Sequence, residues 1–411
     1  MNKSLIKREE YLEQFGNYLD SDFIKVFTGI RRCGKTSLLY SMIDELKNRG
    51  INESNIIFIS FEDPEYNLIE NFEDLDKIVY EKVNNISGKI YFFFDEIQEV
   101  NNWEKSINGY RFKLDCDIYI TGSNSKLLSN ELSTLISGRY IEIKVYPFSF
   151  KELLKYKSEI EGLELSLQDE EKLFTDYYIN YGGMPGILTL NSDEFKKSAL
   201  RDIFNTIILN DIINRFKIKK VDLFNRFVRY MMNSIGQTFS SKSIKNYLKD
   251  KNIHTSQDTL LKYNNYLQQS FFMLKCRRED LIGKKILKIH EKYYAMDHGF
   301  HHAIVENNQK RIPRVLENIV YVELLRRGYE VNVGIVGDKE IDFVCQKFDR
   351  RIYIQVSYRM QYEDTRTREF SPLLKVRDKY ESYVLSMDEE DFSRDGIKHM
   401  NIIDFLKSDE F

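Results

Sequence analysis

Five short runs of β-branched and aromatic residues punctuate the first 150 positions: IKVFTG at 24–29, NIIFISF at 55–61, KIYFFFD at 89–95, DIYITG at 117–122 and YIEIKVY at 140–146. Between them apolar residues recur at helical spacing, over 37–49 and 75–83. Strands that alternate with helices predict a parallel sheet with helices on both faces. From position 150 the strand signal stops and a helical period takes over through FKELLKYK and EEKLFTDYYINYGG, interrupted at Gly182-Gly183-Met184-Pro185-Gly186, which must be a turn. Positions 195–235 continue helical. SSKSIKNYLKD and TSQDTLLKYNNYLQQSF then read as two helices, and FFMLKCR and KKILKIHEKYYAM as a hairpin around a turn at 279–283. Helix, turn, helix, hairpin is the order of a winged helix. After about position 311 a helix (PRVLENIVYVELLRRG) precedes strands YEVNVGIV, EIDFVCQ and RIYIQVSY, a further helix and SYVLSM, a second small α/β unit.

Composition narrows the classes. The chain has 411 residues, 42% hydrophobic and 30% charged, with only 5 prolines, which suits two or more closely spaced folded domains and excludes long Pro-rich linkers. The four cysteines, Cys33, Cys116, Cys276 and Cys345, form no CxxC pair and have no histidine cluster at zinc spacing. The first fifteen residues lack an apolar core and no window approaches about 18 uninterrupted apolar residues, so a signal peptide and a membrane span are not expected and a cytoplasmic location is. Net charge is −3, but positions 201–290 hold 18 Lys and Arg against 7 Asp and Glu, a local excess of +11. That segment is suited to meeting an anion, DNA above all.

The sharpest chemical signal is Gly29-Ile30-Arg31-Arg32-Cys33-Gly34-Lys35-Thr36, which fits GxxxxGK[ST] between a predicted strand and a predicted helix. Glycines let backbone N–H groups turn in on phosphates, and the helix N-terminus adds partial positive charge. The expected nucleotide-binding set is Gly29, Arg31, Arg32, Cys33, Gly34, Lys35, Thr36 and Ser37. Lys35 would reach the β- and γ-phosphates of ATP and the Thr36 hydroxyl would ligate Mg²⁺. Cys33 reads as a small residue in a tight loop, and Arg31 and Arg32 either touch phosphate or are solvated.

A second motif supports the first. Phe92-Phe93-Phe94 ends in Asp95-Glu96, acids at the carboxyl end of a buried strand, where ligands bind in doubly wound sheets. Asp95 fits an Mg²⁺ ligand, and Glu96 a carboxylate that polarises the attacking water. Ser123 and Asn124, after DIYITG, would orient the water or sense the γ-phosphate. Arg139, in SGRY, would stabilise transition-state charge in its own subunit or, in a homo-oligomer, in a neighbour.

These residues resemble the prokaryotic AAA-type P-loop ATPases that carry an uncharacterised C-terminal domain, in the archaeal ATPase and signalling-NTPase clade. The landmarks are GIRRCGKT at 29–36, DEIQEVNNWE at 95–104, ITGSNSKLLS at 120–129, SGRY at 137–140, PFSF at 147–150, GGMPG at 182–186 and IYIQVSY at 352–358. The resemblance implies an ASCE-type ATPase core with Glu96 catalytic, Ser123-Asn124 at the sensor 1 position and Arg139 a γ-phosphate sensor or finger. The expected division is a P-loop ATPase domain over 1–155, a helical region over 156–235, a winged helix over 236–305 and a restriction-endonuclease-like α/β domain over 306–411.

In a winged helix the second helix enters the major groove, which makes Lys262, Arg277, Arg278, Lys284 and Lys285 the candidate DNA contacts, with Gln257, Asp258 and Tyr263 near base edges. In the last domain Glu317, Asp342 and Gln355 fall in the order of a nuclease site. One carboxylate there is an amide, and Ser357 stands where active members have lysine, so a degenerate site is expected. His298, His301 and His302 cluster near a helix, weak grounds for a metal. The favoured reading is an Mg²⁺- and ATP-dependent ATPase coupled to a DNA-associated C-terminal half. Its rivals are a slow ATPase switch or scaffold that binds protein partners and, further off, an active nuclease.

Overall fold

The five N-terminal apolar runs become strands β1 (Ile24–Thr28), β2 (Ile56–Ser60), β3 (Ile90–Asp95), β4 (Cys116–Gly122) and β5 (Tyr140–Lys144) of a computed structural model that describes residues 6–123, 139–283, 285–305, 312–376 and 378–409. They pair in parallel in the order β2-β3-β4-β1-β5. Helices α1 (Glu9–Tyr18), α2 (Lys35–Asn48), α3 (Phe72–Val83) and α4 (Trp103–Lys113) flank this sheet. Every residue of β3 is buried, so it reads as a continuous apolar run rather than an alternation. Phe92, Phe93 and Phe94 are fully enclosed, each contributing about 1.5–3 kcal/mol by burial. Their rings alternate between the two faces: Phe92 and Phe94 stack on one side, and Phe93 stacks on Tyr119 on the other. The strand that ends in acids is thus separated from the strand that leads into the glycine loop by β4, which is the order of an ASCE P-loop fold.

The chain divides into two units, residues 1–146 with 269–271 and residues 147–268 with 272–411, so the first boundary falls at Tyr146/Pro147. The second unit begins with α5 (Phe150–Glu159), started by a capping box: Ser149 Oγ accepts from the Glu152 N–H at 3.1 Å, and Glu152 Oε2 accepts from the Ser149 N–H at 2.9 Å. Helices α6 (Asp193–Thr206), α7 (Val221–Asn233), α8 (Ser241–Asp250) and α9 (Gln257–Gln269) follow, then the hairpin β6 (Met273–Asp280) and β7 (Lys285–Ala295). Further along come α10 (Ile312–Arg326), β8 (Glu330–Val336), β9 (Lys339–Lys347), β10 (Arg350–Val356), α11 (Glu363–Leu374), β11 (Glu381–Ser386) and β12 (Lys398–Asn401), with short helices at Leu167–Lys172, Gly299–Ile304 and Ile402–Lys407.

The hairpin corrects the expected division at 305/306. Strand β6 pairs in parallel with β8, so the strands form one seven-stranded sheet ordered β12-β11-β10-β9-β8-β6-β7. No sheet boundary separates the hairpin from the last α/β unit. The GGMPG turn has a steric reason as well: a Cβ on Gly182 would lie 2.0 Å from Asp297 Oδ1 and one on Gly183 2.0 Å from the Phe148 carbonyl oxygen. Only glycine fits either place.

Candidate active site

The phosphate loop runs from Gly29 to Gly34, between the end of β1 and the start of α2. Gly29 passes so close to its neighbour that a Cβ would meet the Val145 carbonyl oxygen at 2.2 Å, and Gly34 has φ +103°, a left-handed value that favours glycine. Lys35, the first residue of α2, is buried, and its Nζ lies 3.2 and 3.4 Å from the Gly29 and Ile30 carbonyl oxygens and 3.3 Å from Glu96 Oε1. The ammonium therefore lies across the mouth of the loop it belongs to.

Both acids at the end of β3 arrive where the motif spacing predicts. Asp95 Oδ2 accepts from the Thr36 hydroxyl at 2.9 Å and from Ser60 Oγ at 3.2 Å, and Oδ1 accepts from Thr121 Oγ1 at 2.6 Å. Glu96 has φ +54°, and its backbone N–H donates to Thr121 Oγ1 at 2.9 Å. Its Oε2 accepts from the Ser123 N–H at 3.0 Å and from Gln98 Nε2. Burial is the largest influence on Glu96 and pushes it up, but Lys35, Gln98 and Arg31 together outweigh it and hold the carboxyl below its ordinary value. Burial opposes the charge on Lys35 as well, and Glu96, with Cys33 and Asp95 adding to it, reverses that, so the amine is held above its usual value. Asp95 is pushed up by burial, with Glu96 adding to the effect. A buried carboxylate under-compensated in this way, opposite the Thr36 hydroxyl, is a donor set that suits a hard cation such as Mg²⁺.

Thr121, Gln98 and Ser60 were not singled out in the sequence, yet they orient the two acids. The signal for Thr121 was available: β4 runs parallel to β3 with Ile120 beside Phe94, so the next residue stands beside Asp95. Arg8 was also missed. It is buried, and its guanidinium donates to the Tyr146 carbonyl at 2.9 Å and the Cys33 carbonyl at 3.4 Å, supporting the loop from behind. Arg31 pairs with Glu62 at 2.6 Å, Arg32 has φ +65°, and Cys33 is fully buried, with its thiol pushed up by burial.

Arg139 is not brought to this site. Ile24 stands beside Tyr140 in the parallel β1–β5 pair and the Ile24 N–H donates to the Arg139 carbonyl, which puts Arg139 at the N-terminal edge of the sheet. The loop leaves the opposite edge, about 13 Å along the strand, farther than an arginine side chain spans. Asn124 lies outside the described residues.

In the second unit Lys262 and Arg277 are exposed. Arg278 is tied into the sheet by an ion pair with Glu340 at 3.1 Å. Tyr263, expected near base edges, is buried edge-on against Phe224 with ring centroids 5.0 Å apart. Gln257 and Asp258 are exposed, Lys285 opens β7, and Lys284 lies outside the described residues. His298 and His301 are buried, and no set of three metal-ligating side chains occurs among the described residues.

The nuclease-like residues do meet, with a partner the sequence did not suggest. Lys292, on β7, is buried with its Nζ 3.0 Å from Glu317 Oε1, 2.6 Å from Glu340 Oε1 and 4.0 Å from Asp342 Oδ1. The Tyr294 hydroxyl donates to Glu317. The Val356 N–H donates to Asp342 at 2.9 Å, and Gln355 bridges the Asp342 N–H to Glu369. Burial works against the Lys292 charge, but Glu317, Asp342 and Glu340 outweigh it, so the amine stays protonated. Asp342 is pushed well up by burial and by Glu317.

A family model described as an AAA domain matches residues 21–154, and one for a domain of unknown function, DUF8612, matches residues 172–311. An uncharacterised protein of Haemophilus influenzae is 38% identical over 99% of this chain and 100% of its own length. One from Methanocaldococcus jannaschii is 29% identical over 93% of this chain and 87% of its own. Among solved structures, Cdc6p of Pyrobaculum aerophilum is similar at 12% identity and a TM-score of 0.33, over 78% of this chain and 95% of that one. No helix among the described residues is long and apolar enough to cross a membrane. The glycine loop and the acid-tipped β3 both lie in the part that the AAA-domain model matches, so residues 21–154 carry an AAA-type P-loop domain, and the chain belongs to one family with its uncharacterised H. influenzae relative.

Proposed function

We propose that the N-terminal unit binds ATP and hydrolyses it with Mg²⁺, and that its nucleotide state acts on a C-terminal half that associates with DNA. The observation that carries the hydrolytic part is the buried Lys35–Glu96 pair, 3.3 Å apart, beside the Asp95–Thr36 contact. In this reading the N–H groups of the loop and of the start of α2, from Gly29 to Ser37, hold the phosphates, and Lys35 turns from the loop carbonyls and Glu96 to the β- and γ-phosphates. Glu96, kept ionised and aimed by Gln98 and the Ser123 N–H, is then free to accept a proton from the attacking water. Thr36 and Asp95 would hold Mg²⁺, which when bound spreads the phosphate charge. Phosphoryl transfer of this kind is positioning plus charge stabilisation, and each of these side chains supplies one or the other. A finger role for Arg139 falls to a neighbouring copy in a homo-oligomer.

The DNA part is supported by the +11 excess over 201–290 and by exposed Lys262 and Arg277. Residues 236–239 run beside β7, with the Gly236 N–H donating to the Tyr293 carbonyl at 3.0 Å and the Phe239 N–H to the Glu291 carbonyl at 2.9 Å, which favours a winged helix built on α7 to α9 and the hairpin. We assign the cluster around Lys292 a structural role in a degenerate nuclease fold, because the ammonium already engages the carboxylate oxygens that a divalent cation would need.

Steady-state ATP hydrolysis by the full chain, with single-stranded, duplex and branched DNA at two salt concentrations, tests this reading. Glu96→Gln should lower turnover about 10²- to 10⁴-fold while still binding ATP. Lys35→Ala should lose ATP binding. Turnover unchanged in Glu96→Gln overturns the catalytic assignment. DNA binding that fades with salt is expected. Turnover and anisotropy indifferent to every DNA would shift the C-terminal half to protein partners.

A further inference from the structure

Helix α7 is strongly two-faced. Leu223, Phe224, Phe227, Val228, Met231 and Met232 are buried, and the opposite stripe, spaced three and four apart, reads Asp222, Asn225, Arg226, Arg229, Tyr230 and Asn233. This stripe does not face open solvent as a convex surface. Together with Tyr247 of α8 and Lys251 just beyond it, it lines a groove of about 660 Å³, within the roughly 300–1,000 Å³ of small-ligand sites. Three cations and one acid line it, and the acid, Asp222, engages only Arg226, at 2.9 Å. Arg229 is exposed and carries no ion pair among the described residues. The rings of Tyr230 and Tyr247 touch, with centroids 5.4 Å apart at 51°, and the Lys251 ammonium lies 4.7 Å from the Tyr247 ring centroid. Tyr247 remains 43% exposed despite both contacts, a large area for an aromatic ring to leave in water.

Aromatic faces beside a cationic cluster with a single acid, with amides at the rim, match a nucleotide whose base has left the stack. A paired duplex offers its phosphates but not its base faces, whereas a single strand offers both. We propose that the α7–α8 groove binds one unstacked nucleotide of single-stranded DNA, with the base against Tyr247 and Tyr230 and the phosphate among Arg226, Arg229 and Lys251. Asn225 and Asn233 are placed to meet base edges. The site rests on the DNA-associated reading above but uses none of the residues assigned to duplex contact there.

The test is fluorescence anisotropy of the full chain with a labelled 15-nucleotide single strand, a strand of the same length made abasic throughout, and a duplex. Tyr247→Ala should weaken binding of the base-bearing strand about tenfold, since base stacking on an aromatic side chain has about that worth. It should leave the abasic strand, the duplex and ATP turnover unchanged, and Tyr247→Trp should restore binding. Arg229→Ala should weaken both single strands and lower the salt slope by about 0.7, one phosphate contact. If Tyr247→Ala binds the base-bearing strand as the wild type does, or the wild type treats base-bearing and abasic strands alike, the groove proposal falls. Binding of the duplex alone overturns the groove and leaves the DNA reading standing. Binding of no DNA overturns both.

Discussion

Each unit of this protein buries a lysine among carboxylates, and the two lysines are held for opposite purposes. Lys35 rests on two backbone carbonyls and one acid, at the N-terminus of a helix that the glycine loop Gly29–Gly34 leads into. Its contacts are long for an ammonium, 3.2–3.4 Å, and an incoming phosphate offers it better ones. Lys292 has three carboxylates around it, two of them within 3.0 Å, and no glycine loop beside it. Its ligands are already in place. A buried lysine near acids is thus no signature of activity by itself, and what separates the two is whether the neighbouring backbone leaves room for an anion.

The sharpest way to break this comparison is to remove each ammonium. Lys292→Met leaves the half-buried Glu317 and Asp342 without their cation, while Glu340 keeps Arg278, and taking the shared partner from a largely buried ionic cluster costs about 3 kcal/mol. We expect the urea midpoint of the second unit's transition to fall accordingly. Lys35→Met should move stability much less, because Glu96 keeps Gln98 and the Ser123 N–H, while nucleotide binding disappears. Equal destabilisation by the two substitutions would mean that Lys35 is as much a structural ion as Lys292.

A buried acid with no lysine at all sharpens the same point. Asp297 is held by the N–H groups of Gly183 and Gly299, at 2.9 and 2.8 Å, with Arg326 as its more distant cation. Burial dominates, and the carboxyl is pushed up to about 6 from an ordinary 3.8. The folded state therefore binds the extra proton between those values. Asp297 contributes stability that is fully present below pH 4 and is lost as pH rises through about 6, a change of about 3 kcal/mol. Denaturant titrations from pH 4 to 7 should show the wild type losing about that much more than Asp297→Asn. Parallel pH profiles would remove Asp297 as the source.

The candidate site was largely legible in the sequence because its parts are local. An eight-residue loop fixes Lys35 and Thr36, and two acids at a strand end fix Asp95 and Glu96. The five strands were legible for a related reason: each is a short run rich in β-branched and aromatic residues between helices of ordinary period. What could not be read needs pairings between distant segments. Lys292 meets Glu317, Glu340 and Asp342 only because β6 joins β8 in parallel and carries β7 with it, a register that no local pattern specifies. The merged sheet likewise turned Arg278 inward to Glu340. The π-helical stretches Leu173–Tyr178 and Ile207–Asn214 escaped because a single extra residue per turn hardly changes an apolar stripe.

Arg139 is a different case, and it yields the smallest expected effect. Once β1 and β5 are read as parallel neighbours, the residue before β5 must lie at the opposite edge from the residue after β1, a step the sequence already allowed. An arginine finger in its own subunit would make Arg139→Ala about 10³- to 10⁵-fold slower. With Arg139 at the far edge, single-copy turnover should instead change less than about twofold. Measuring turnover of Arg139→Ala against the wild type across a range of protein concentration separates the cases. A defect present at every dilution would contradict the placement at the far edge. A defect that grows only as copies associate would instead place Arg139 at the nucleotide of a neighbouring copy, making the far edge of one sheet part of the next copy's active site.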